Sequence, residues 1–271
     1  MKLHPFLAVA LLSSCSTGNI PRMPGPPSSA LSVATIRTDS DARFTALLEG
    51  VGDNTILTNY STDRPSTWGH NFTQRLDFTG VAWDDTRTVT AVSPLHVVMA
   101  AHYQRPVGSS VVFNDRSGRP QRRTLVAVES LGFADVAVGK LDSPLPSGVK
   151  SYRVLPPSTT YGSLTGCLAV VTDQQRRAFV HEIASIQGNS LSFRHSGRVS
   201  PILRKHLVTG DSGHPSFLLV GGEMVLIGTH TSGGPGSGPF YSSPQLFSAV
   251  DAAMAKLGGG YRLSTVPLAS N

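Results

Sequence analysis

A serine in a glycine-flanked turn is the first candidate for chemistry in this chain of 271 residues. The sequence around it reads Val-Thr-Gly-Asp-Ser-Gly-His-Pro, with Gly210 two positions before Ser212 and Gly213 directly after it. Glycine allows a sharp backbone turn that leaves the hydroxyl exposed. In such a turn the N–H groups of Gly210 and Ser212 can point into one small space, where two donors would stabilise a negatively charged oxygen. The pattern alone also fits an ordinary polar loop, so it gains force only if a base and an orienting acid lie elsewhere.

Both partners are present upstream of the serine. His102 ends the apolar run Val-Val-Met-Ala-Ala-His, and Asp135 opens the short apolar segment Asp-Val-Ala-Val-Gly-Lys-Leu. A lone histidine is usually structural and an aspartate before a strand is usually a turn residue, but here they stand with Ser212 in the order His, Asp, Ser. A serine hydroxyl is a poor nucleophile until a base accepts its proton, and an acid orients that base. We therefore predict that His102, Asp135 and Ser212 form a catalytic triad.

The three segments resemble the Ala-Ala-His, Asp-(Ile/Val)-Ala and Gly-Asp-Ser-Gly motifs of trypsin/chymotrypsin-like serine proteases. They stand in that family's order, and the resemblance covers roughly residues 70 to 260. The Gly-x-Ser-x-Gly motif of the α/β-hydrolases does not fit, because His214 occupies its last glycine position and the order of the triad differs. Asp142, close to Pro144, is a rival acid that we interpret as a turn residue, so we retain Asp135.

The resemblance implies an all-β fold of two six-stranded antiparallel β-barrels, chymotrypsin-like, with a C-terminal helix. His102 and Asp135 would lie on the first barrel and Ser212 on the second. It also implies a serine endopeptidase that hydrolyses peptide bonds through a covalent acyl-enzyme, with an oxyanion hole at the N–H groups of Gly210 and Ser212. Such an enzyme needs no cofactor and no metal, and its partner is a protein or peptide substrate.

By the same resemblance, the walls of the primary substrate pocket are residues 205–209 and 230–234. Neither wall contains Asp or Glu, so we predict poor cleavage after Arg and Lys, because an unpaired buried cation is costly. His206 is expected at the pocket floor and His230 on a wall, where a histidine would suit an acidic side chain. A pocket for small or medium apolar residues is the favoured alternative, since only some of these residues point inward. The candidate substrate-binding residues are His206, Thr209, Thr231, Ser232, Gly233 and Gly234.

Two further contacts and two departures follow from the comparison with that family. Thr231 or Ser232 is expected to hydrogen-bond Asp135, and the backbone at 232–234 to pair with an extended substrate. We find no activation sequence of the Ile-Val-Gly-Gly type whose new amine would pair with Asp211, so either activation is absent or another group satisfies that aspartate. His214 replaces the glycine that usually follows Gly-Asp-Ser-Gly.

Composition favours a loop-rich all-β protein over a helical one. Charged residues make up 15 % of the chain, and it contains 27 Gly and 19 Pro. The net charge is +6, but the basic residues are scattered rather than clustered, so no nucleic-acid partner is expected. We expect a monomer. The alternative function is a catalytically silent, surface-anchored binding protein on a protease scaffold, because a fold does not guarantee an activity.

The N-terminus resembles a bacterial lipoprotein signal. Residues 1–14 combine Lys2 with a short apolar core, and the Leu-Ser-Ser-Cys that ends at Cys15 resembles a lipobox. The apolar run is too short to span a bilayer. We predict lipidation at Cys15, a flexible Pro/Gly/Ser tether over 15–30, and anchoring at the bacterial cell envelope on its periplasmic or outer-membrane face. The alternative is an ordinary secretory signal and a secreted protein.

Residues 31–69 are predicted to be an extension with one short amphipathic helix, which packs on the following domain. Its apolar positions are Phe44, Leu47, Leu48 and Val51, and its N-cap is Asp39 or Ser40.

The protease domain is placed at 70–262, and a tail follows at 263–271. Alternating patterns separated by turn signals predict strands at 76–83, 86–92, 96–101, 109–114, 122–130, 135–141, 167–172, 178–187, 190–195, 217–221 and 223–232. A second amphipathic helix is predicted at 245–257.

Overall fold

Short strands dominate the computed structural model, which describes residues 27–269. The strands are β1 (Leu57–Asn59), β2 (Thr67–Trp68), β3 (Val81–Ala82), β4 (Val89–Ala91), β5 (His96–Met99), β6 (Ser110–Asn114), β7 (Pro120–Leu131), β8 (Val136–Leu141), β9 (Leu168–Thr172), β10 (Ala178–Gln187), β11 (Ser190–Arg194), β12 (Pro215–Val220), β13 (Glu223–Thr229) and β14 (Ser237–Pro239). The helices are α1 (Val33–Leu47) and α2 (Pro244–Leu257). Neither described helix has the length and apolarity needed to cross a bilayer. The predicted signal peptide, Cys15 and most of the tether lie outside the described residues.

Six strands form the first antiparallel sheet, in the order β3-β4-β5-β8-β7-β6. Its two central strands, β5 and β8, are rich in valine and almost entirely buried, as expected for β-branched residues between packed surfaces. Val98 pairs with Thr90 on one side and with Val138 on the other. The edge strands β3 and β6 contact each other, so the sheet curls into a barrel.

The second antiparallel sheet has the order β13-β12-β9-β10-β11-β14. Every residue of β9 and β12 is buried, and both strands consist mainly of large apolar side chains. A main-chain pairing of Gly228 with Phe240 joins β13 to the segment after β14 and closes this sheet as well. The two sheets and α2 confirm the predicted all-β, chymotrypsin-like fold of two six-stranded antiparallel barrels with a C-terminal helix.

A shared aromatic core holds the two barrels together. The ring of Phe217 on β12 lies 4.6 Å from the ring of Tyr152, in the connection between the barrels, and 6.2 Å from the ring of Phe78, which precedes the first barrel. Burying an apolar side chain of this size contributes roughly 2–3 kcal/mol. The barrels are therefore fixed relative to each other, and residues at their facing ends can form one site.

The eleven predicted strands are all present, most of them with shorter ends. The largest correction is at 76–83, where only β3 remains. The cause is a local turn, in which the carboxylate of Asp77 accepts hydrogen bonds from the N–H and hydroxyl of Thr79 at 3.2 and 2.6 Å. The sequence did not predict β1, β2 or β14, because strands of two or three residues carry no alternating pattern.

Helix α1 begins earlier than predicted. Ser32, rather than Asp39 or Ser40, is its N-cap, and the N–H of Ser32 donates to the hydroxyl of Thr35 at 2.9 Å. The apolar contacts come from both ends of the helix, through Ile36, Phe44 and Leu47. Because polar residues separate these apolar positions, the first turns of the helix show no apolar stripe and were not predicted.

Helix α1 packs on the second barrel and contacts the turn that follows β12. The carboxylate of Asp39 accepts the N–H of Gly221, in the turn between β12 and β13, at 3.1 Å. Asp41 accepts the N–H of Leu168 at 3.3 Å and pairs with Arg198 at 2.8 Å. These bonds join the extension to the barrel through both main-chain and side-chain groups.

Helix α2 closes the chain against the first barrel. Its N-cap is Ser243, whose hydroxyl accepts the N–H of Leu246 at 3.3 Å, and Pro244 occupies the first helical position. At the other end, the ammonium group of Lys140 on β8 donates to the carbonyl of Leu257 at 2.8 Å, where a cation also favours the helix dipole.

Candidate active site

The register of β5 and β8 places His102 and Asp135 at the same end of the first barrel. Met99 lies opposite Ala137, so a residue that follows β5 and a residue that precedes β8 lie at the same end of the sheet. His102 is the central residue of a single 3₁₀ turn, Ala101–Tyr103, directly after the strand. Ser212 reaches this point from the other barrel, in the turn before β12.

The three predicted triad residues are in direct contact. Nδ1 of His102 lies 2.5 Å from Oδ2 of Asp135, and the main-chain N–H of His102 donates to Oδ1 at 2.9 Å. On its other side, Nε2 of His102 lies 3.0 Å from Oγ of Ser212. A carboxylate can only accept, so a neutral His102 carries its proton on Nδ1 and presents Nε2 as an acceptor to the serine hydroxyl. About half of the His102 side chain is exposed, so the site opens to solvent.

Asp142, the rival acid, and Ser232, an expected partner of Asp135, both make hydrogen bonds with other residues. The carboxylate of Asp142 accepts the N–H of Thr124 at 3.1 Å, in the turn beyond β8. Within residues 27–269, the hydrogen bonds of the Asp135 carboxylate both come from His102, so the predicted contact with Thr231 or Ser232 is not made. Ser232 instead accepts a hydrogen bond from the hydroxyl of Ser237 at 2.9 Å, because the chain turns back on itself there.

Gly210 shapes the turn that presents the serine. It has a φ of +97°, and a Cβ at this position would lie 2.5 Å from Oε1 of Gln174. The positive φ favours glycine, and a side chain at this position would also displace the amide of Gln174. The N–H groups of Asp211 and Gly213 donate to Val208 and His230 at 3.0 and 2.8 Å.

The N–H groups of Gly210 and Ser212, by contrast, have no acceptor among the described residues. They are the two donors predicted for an oxyanion hole.

The structure provides a partner for Asp211 that the sequence did not predict. The Asp211 side chain is buried, and its two carboxylate oxygens accept the main-chain N–H groups of Gln174 and Val208 at 3.1 and 2.9 Å. The side-chain amide of Gln174 also donates to the carbonyl of Thr209 at 3.0 Å. The turn between β9 and β10 therefore supports the serine turn and satisfies the aspartate. The sequence carries no signal for this role, since Gln174 looks like an ordinary turn residue.

His214, the second departure from the family pattern, braces the serine turn against the first barrel. It is fully buried, with Nε2 at 2.8 Å from the hydroxyl of Thr88 and Nδ1 at 3.2 Å from the carbonyl of Asp211. The carbonyl can only accept, so Nδ1 carries the proton and Nε2 accepts from Thr88. Burial lowers the pKa of His214 to about 4, although the Asp211 carboxylate opposes that shift. The residue is therefore a neutral link between the barrels.

A cleft of about 520 Å³ opens beside His102 and Ser212. Its lining residues are His102, His206, Leu207, Val208, Thr209, Asp211, Ser212, Thr231, Ser232, Gly233 and Gly234. They include all six candidate substrate-binding residues. Asp211 is the acidic residue among them, and its carboxylate is already bound by two N–H groups. The lining therefore presents no unengaged carboxylate to a cationic side chain.

The two pocket histidines differ from their expected positions. His206 is exposed at the cleft rather than buried at a floor. His230 is buried, with Nε2 at 3.1 Å from the hydroxyl of Ser216, and it packs behind Gly236 instead of lining the cleft. Burial holds the pKa of His230 well below its usual range, and His181 and His214 act in the same direction. Because the chain folds back at 232–237, the wall covers this ring.

Of the main-chain groups at 232–234 that were predicted to pair with substrate, several are already hydrogen-bonded within the protein. Both main-chain groups of Gly234 are bound to Leu207, at 2.7 and 3.1 Å, and the N–H of Ser232 donates to Ser237 at 3.3 Å. Within the described part of the chain, the N–H and carbonyl of Gly233 remain unengaged. Of the three residues, Gly233 is the one with both groups available to an extended peptide.

Comparison with known proteins shows a likeness of fold to solved structures. No family model matches the sequence, and no curated protein matches it. A solved structure titled human heparin binding protein is similar to this chain at a TM-score of 0.48 and 18 % sequence identity, covering 64 % of this chain and 86 % of that one. We draw no functional conclusion from that likeness. The sheets and helix described above define the class, a trypsin/chymotrypsin-like fold, and the candidate active site lies between its two barrels.

Proposed function

We propose that this protein is a serine endopeptidase that acts through His102, Asp135 and Ser212. The observation that carries the proposal is the continuous chain of contacts from Asp135 Oδ2 to His102 Nδ1 at 2.5 Å, and from His102 Nε2 to Ser212 Oγ at 3.0 Å. The second distance is within reach of direct proton transfer. His102 and Ser212 line a cleft that is large enough for a substrate side chain.

The proposed reaction follows from the protonation state of the cluster. Ser212 Oγ attacks the carbonyl carbon of a peptide bond while Nε2 of His102 accepts the serine proton. The C–N bond then breaks as His102 passes that proton to the leaving amine, and an acyl-serine ester remains. Water, activated by the same nitrogen, releases the acid and restores the serine. Asp135 holds the Nδ1–H tautomer and stabilises the imidazolium that forms.

The tetrahedral intermediate carries a negative charge that the serine turn can bind. The available N–H groups of Gly210 and Ser212 are the proposed donors. One such donor typically contributes about 3 kcal/mol to transition-state binding. Gln174 and His214 hold this turn from two sides, so the donors need little reorganisation during the reaction.

The pocket is proposed to accept small or medium apolar side chains and to exclude Arg and Lys. The supporting observation is that the only carboxylate of the lining, on Asp211, is bound by Gln174 and Val208. A buried cation would have no partner there. Cleavage of a mixed peptide library measures this preference, and dominant cleavage after Arg or Lys would contradict it.

Anchoring at the bacterial cell envelope through a lipidated Cys15 is part of the proposal. The described chain begins at Pro27, and Ser28 lies against Gly221, at the far end of β12 from Ser212. Six residues of strand span about 20 Å. A tether that enters on that side joins the domain at the end of β12 opposite Ser212, so it does not cross the cleft.

Proteolysis of an unfolded protein such as casein tests the proposed activity. The wild-type protein is expected to cleave casein, Ser212→Ala to lose that cleavage while keeping its fold, and Ser143→Ala, a control at an exposed serine, to cleave like wild type. Cleavage by Ser212→Ala at the wild-type rate would refute the role of the serine. A folded wild-type protein that cleaves nothing would support the silent binding protein instead.

A further inference from the structure

Another buried histidine, His181, lies between the two walls of the cleft and outside the proposed triad. His181 is on β10, and its side chain is fully buried. Its Nε2 accepts the main-chain N–H of Lys205 at 3.0 Å, at the start of one wall. Its Nδ1 lies 2.7 Å from the carbonyl of Pro235, just beyond the other wall. One imidazole ring therefore contacts both segments.

The tautomer of His181 follows from the chemistry of its partners. An amide N–H can only donate, so Nε2 must be unprotonated, and a carbonyl can only accept, so Nδ1 must carry the proton. Neither a flipped ring nor a doubly protonated ring can make both bonds. The geometry thus requires a neutral His181 with a single orientation.

The contacts around Lys205 strengthen this link. Nε2 of His195 lies 2.8 Å from the carbonyl of Lys205, so two histidines hold both main-chain groups of that residue. The ammonium group of Lys205 lies 3.2 Å from the buried carboxylate of Asp173. The position of Lys205 is therefore fixed from three directions at the point where the first wall begins.

The contacts of His181 with Lys205 and Pro235 matter because the two walls of the cleft face each other directly between those residues. Leu207 on one wall and Gly234 on the other share two main-chain hydrogen bonds, while His206, Thr209 and Gly233 around them line the cleft. The distance between Lys205 and Pro235 sets how far apart the walls can stand. The imidazole of His181 has a fixed size and is hydrogen-bonded to both Lys205 and Pro235, so it sets that distance.

We propose that His181 is a positioning residue that fixes the width of the primary substrate pocket and thereby selects the side chain that enters it. The inference rests on the proposed endopeptidase function. His181 does not touch substrate or the reacting atoms, so its removal changes which side chains enter the pocket, while the triad keeps its reactivity.

The first test compares two reactions of the same variants. A small fluorophosphonate reports the reactivity of Ser212 without filling the pocket. Peptide substrates report the reactivity of Ser212 and the fit of a side chain in the pocket together. His181→Gln keeps some hydrogen-bonding capacity, and His181→Phe replaces the imidazole with an apolar aromatic ring that can make neither bond. The matched control is His96→Gln, which removes a buried histidine of the first barrel that lies 2.9 Å from the hydroxyl of Ser93.

We expect the His181 variants to keep their reactivity with the fluorophosphonate and to lose activity on peptides. His181→Phe should react with the fluorophosphonate within about threefold of wild type, while kcat/KM for the preferred peptide falls about tenfold or more, mainly through KM. Its cleavage profile on a peptide library should broaden. His181→Gln should lie between the two, and His96→Gln should keep the wild-type profile. Thermal melts identify any variant that has failed to fold.

An unchanged peptide profile in a folded His181→Phe would overturn the inference, and so would an equal loss of fluorophosphonate reactivity. A wild-type protein that never reacts would refute the proposed function itself, which is a different outcome.

The second test does not depend on activity. The ¹⁵N shifts of the His181 ring at neutral pH should show the Nδ1–H tautomer, and the Nε2–H tautomer would contradict the inference.

Discussion

At the scale of single residues, the two bonds from His102 to Asp135 are the feature that sets the acid apart from its rival. One oxygen of Asp135 binds Nδ1 of the ring and the other binds the main-chain N–H of the same residue, so the carboxylate fixes both the tautomer and the turn. Asp142 makes no such contact and accepts the N–H of Thr124 instead. The roles of the two aspartates can therefore be separated by experiment.

Asp135→Asn is expected to lower kcat on the order of thousands-fold with little change in KM. The amide would donate to Nδ1, which forces the proton of His102 onto Nε2 and removes the acceptor for the serine. Steady-state kinetics on a peptide substrate measure this effect. Asp142→Asn is the matched control and should retain nearly wild-type kcat. Equal losses in the two variants would show that the acid is misassigned.

The three residues that meet at the candidate site, His102, Asp135 and Ser212, were predictable from sequence because each is marked by a local pattern. A small-residue turn, an apolar run that ends in histidine and an aspartate before a buried strand are all readable along the chain. Their supports were not predictable. Gln174, His181 and the contact between His214 and Thr88 depend on which distant segments meet, and a turn residue or a lone histidine gives no sign of that.

At the scale of elements, the turn between β9 and β10 acts as the support of the serine turn. Gln174 binds Asp211 through its main chain and Thr209 through its side chain, and it lies directly beneath Gly210. In the proteases that the sequence resembles, a new N-terminal amine is expected to satisfy the aspartate at this position. Here an internal turn does so, and no processed N-terminus is needed for that contact.

Gln174→Ala is expected to lower kcat by roughly tenfold, because the variant loses the bond to Thr209 and opens space beneath the oxyanion donors. KM should change little, since the walls of the cleft remain. Single-turnover acylation rates give the most direct measure. Gln175→Ala, at the exposed neighbouring position, serves as the control. If both variants acylate at the wild-type rate, the turn does not support the site.

The elements differ in how well the sequence foretold them, and the reason is physical. Long strands such as β7, β10 and β13 carry an apolar pattern or a β-branched run, and α2 carries an apolar stripe with a serine cap and a proline at its start. Helix α1 has no continuous apolar stripe, since the polar Asp39 and Asp41 in its middle make contacts with the second barrel. Its start is set by capping at Ser32 and by docking to the second barrel.

At the scale of the whole molecule, the four histidines that are buried within residues 27–269 make stability depend on pH. Burial lowers the pKa of His181 and of His214 to about 4, and it also lowers the pKa of His96 and of His230. In the unfolded chain these rings bind protons near their ordinary pKa of about 6.5. Between these values the unfolded state binds more protons than the folded state, so stability falls as the pH falls.

The free energy of unfolding is therefore expected to decrease between about pH 6.5 and pH 4.5, with a contribution on the order of 3 kcal/mol from a residue such as His181 once its folded pKa is reached. Carboxylates with lowered pKa values, such as Asp85, lose their contribution only at lower pH. Denaturant titrations across this range measure the slope. His181→Gln should flatten it, and a pH-independent stability in the wild type would contradict the neutral burial of these rings.

The proposed lipid anchor also belongs to the whole molecule. Cys15→Ser should move the protein from the membrane fraction to the soluble fraction or halt its processing, because each buried CH₂ of an acyl chain contributes about 0.8 kcal/mol to membrane binding. Cell fractionation and the intact mass of the mature protein measure this change. Cys167→Ser is the control, since that thiol is buried and unpaired in the second barrel. A soluble wild-type protein with an unmodified N-terminus would rule the anchor out.

The central claim is that Ser212 is an activated nucleophile, and its covalent reaction with a fluorophosphonate is the most direct test. Intact mass spectrometry should show one added phosphonyl group on the wild-type protein, and peptide mapping should place it on Ser212. The reaction should be absent in Ser212→Ala and strongly slowed in His102→Ala, because the serine then lacks its base. Modification of another residue, or a folded wild-type protein that gains no mass, would contradict the claim.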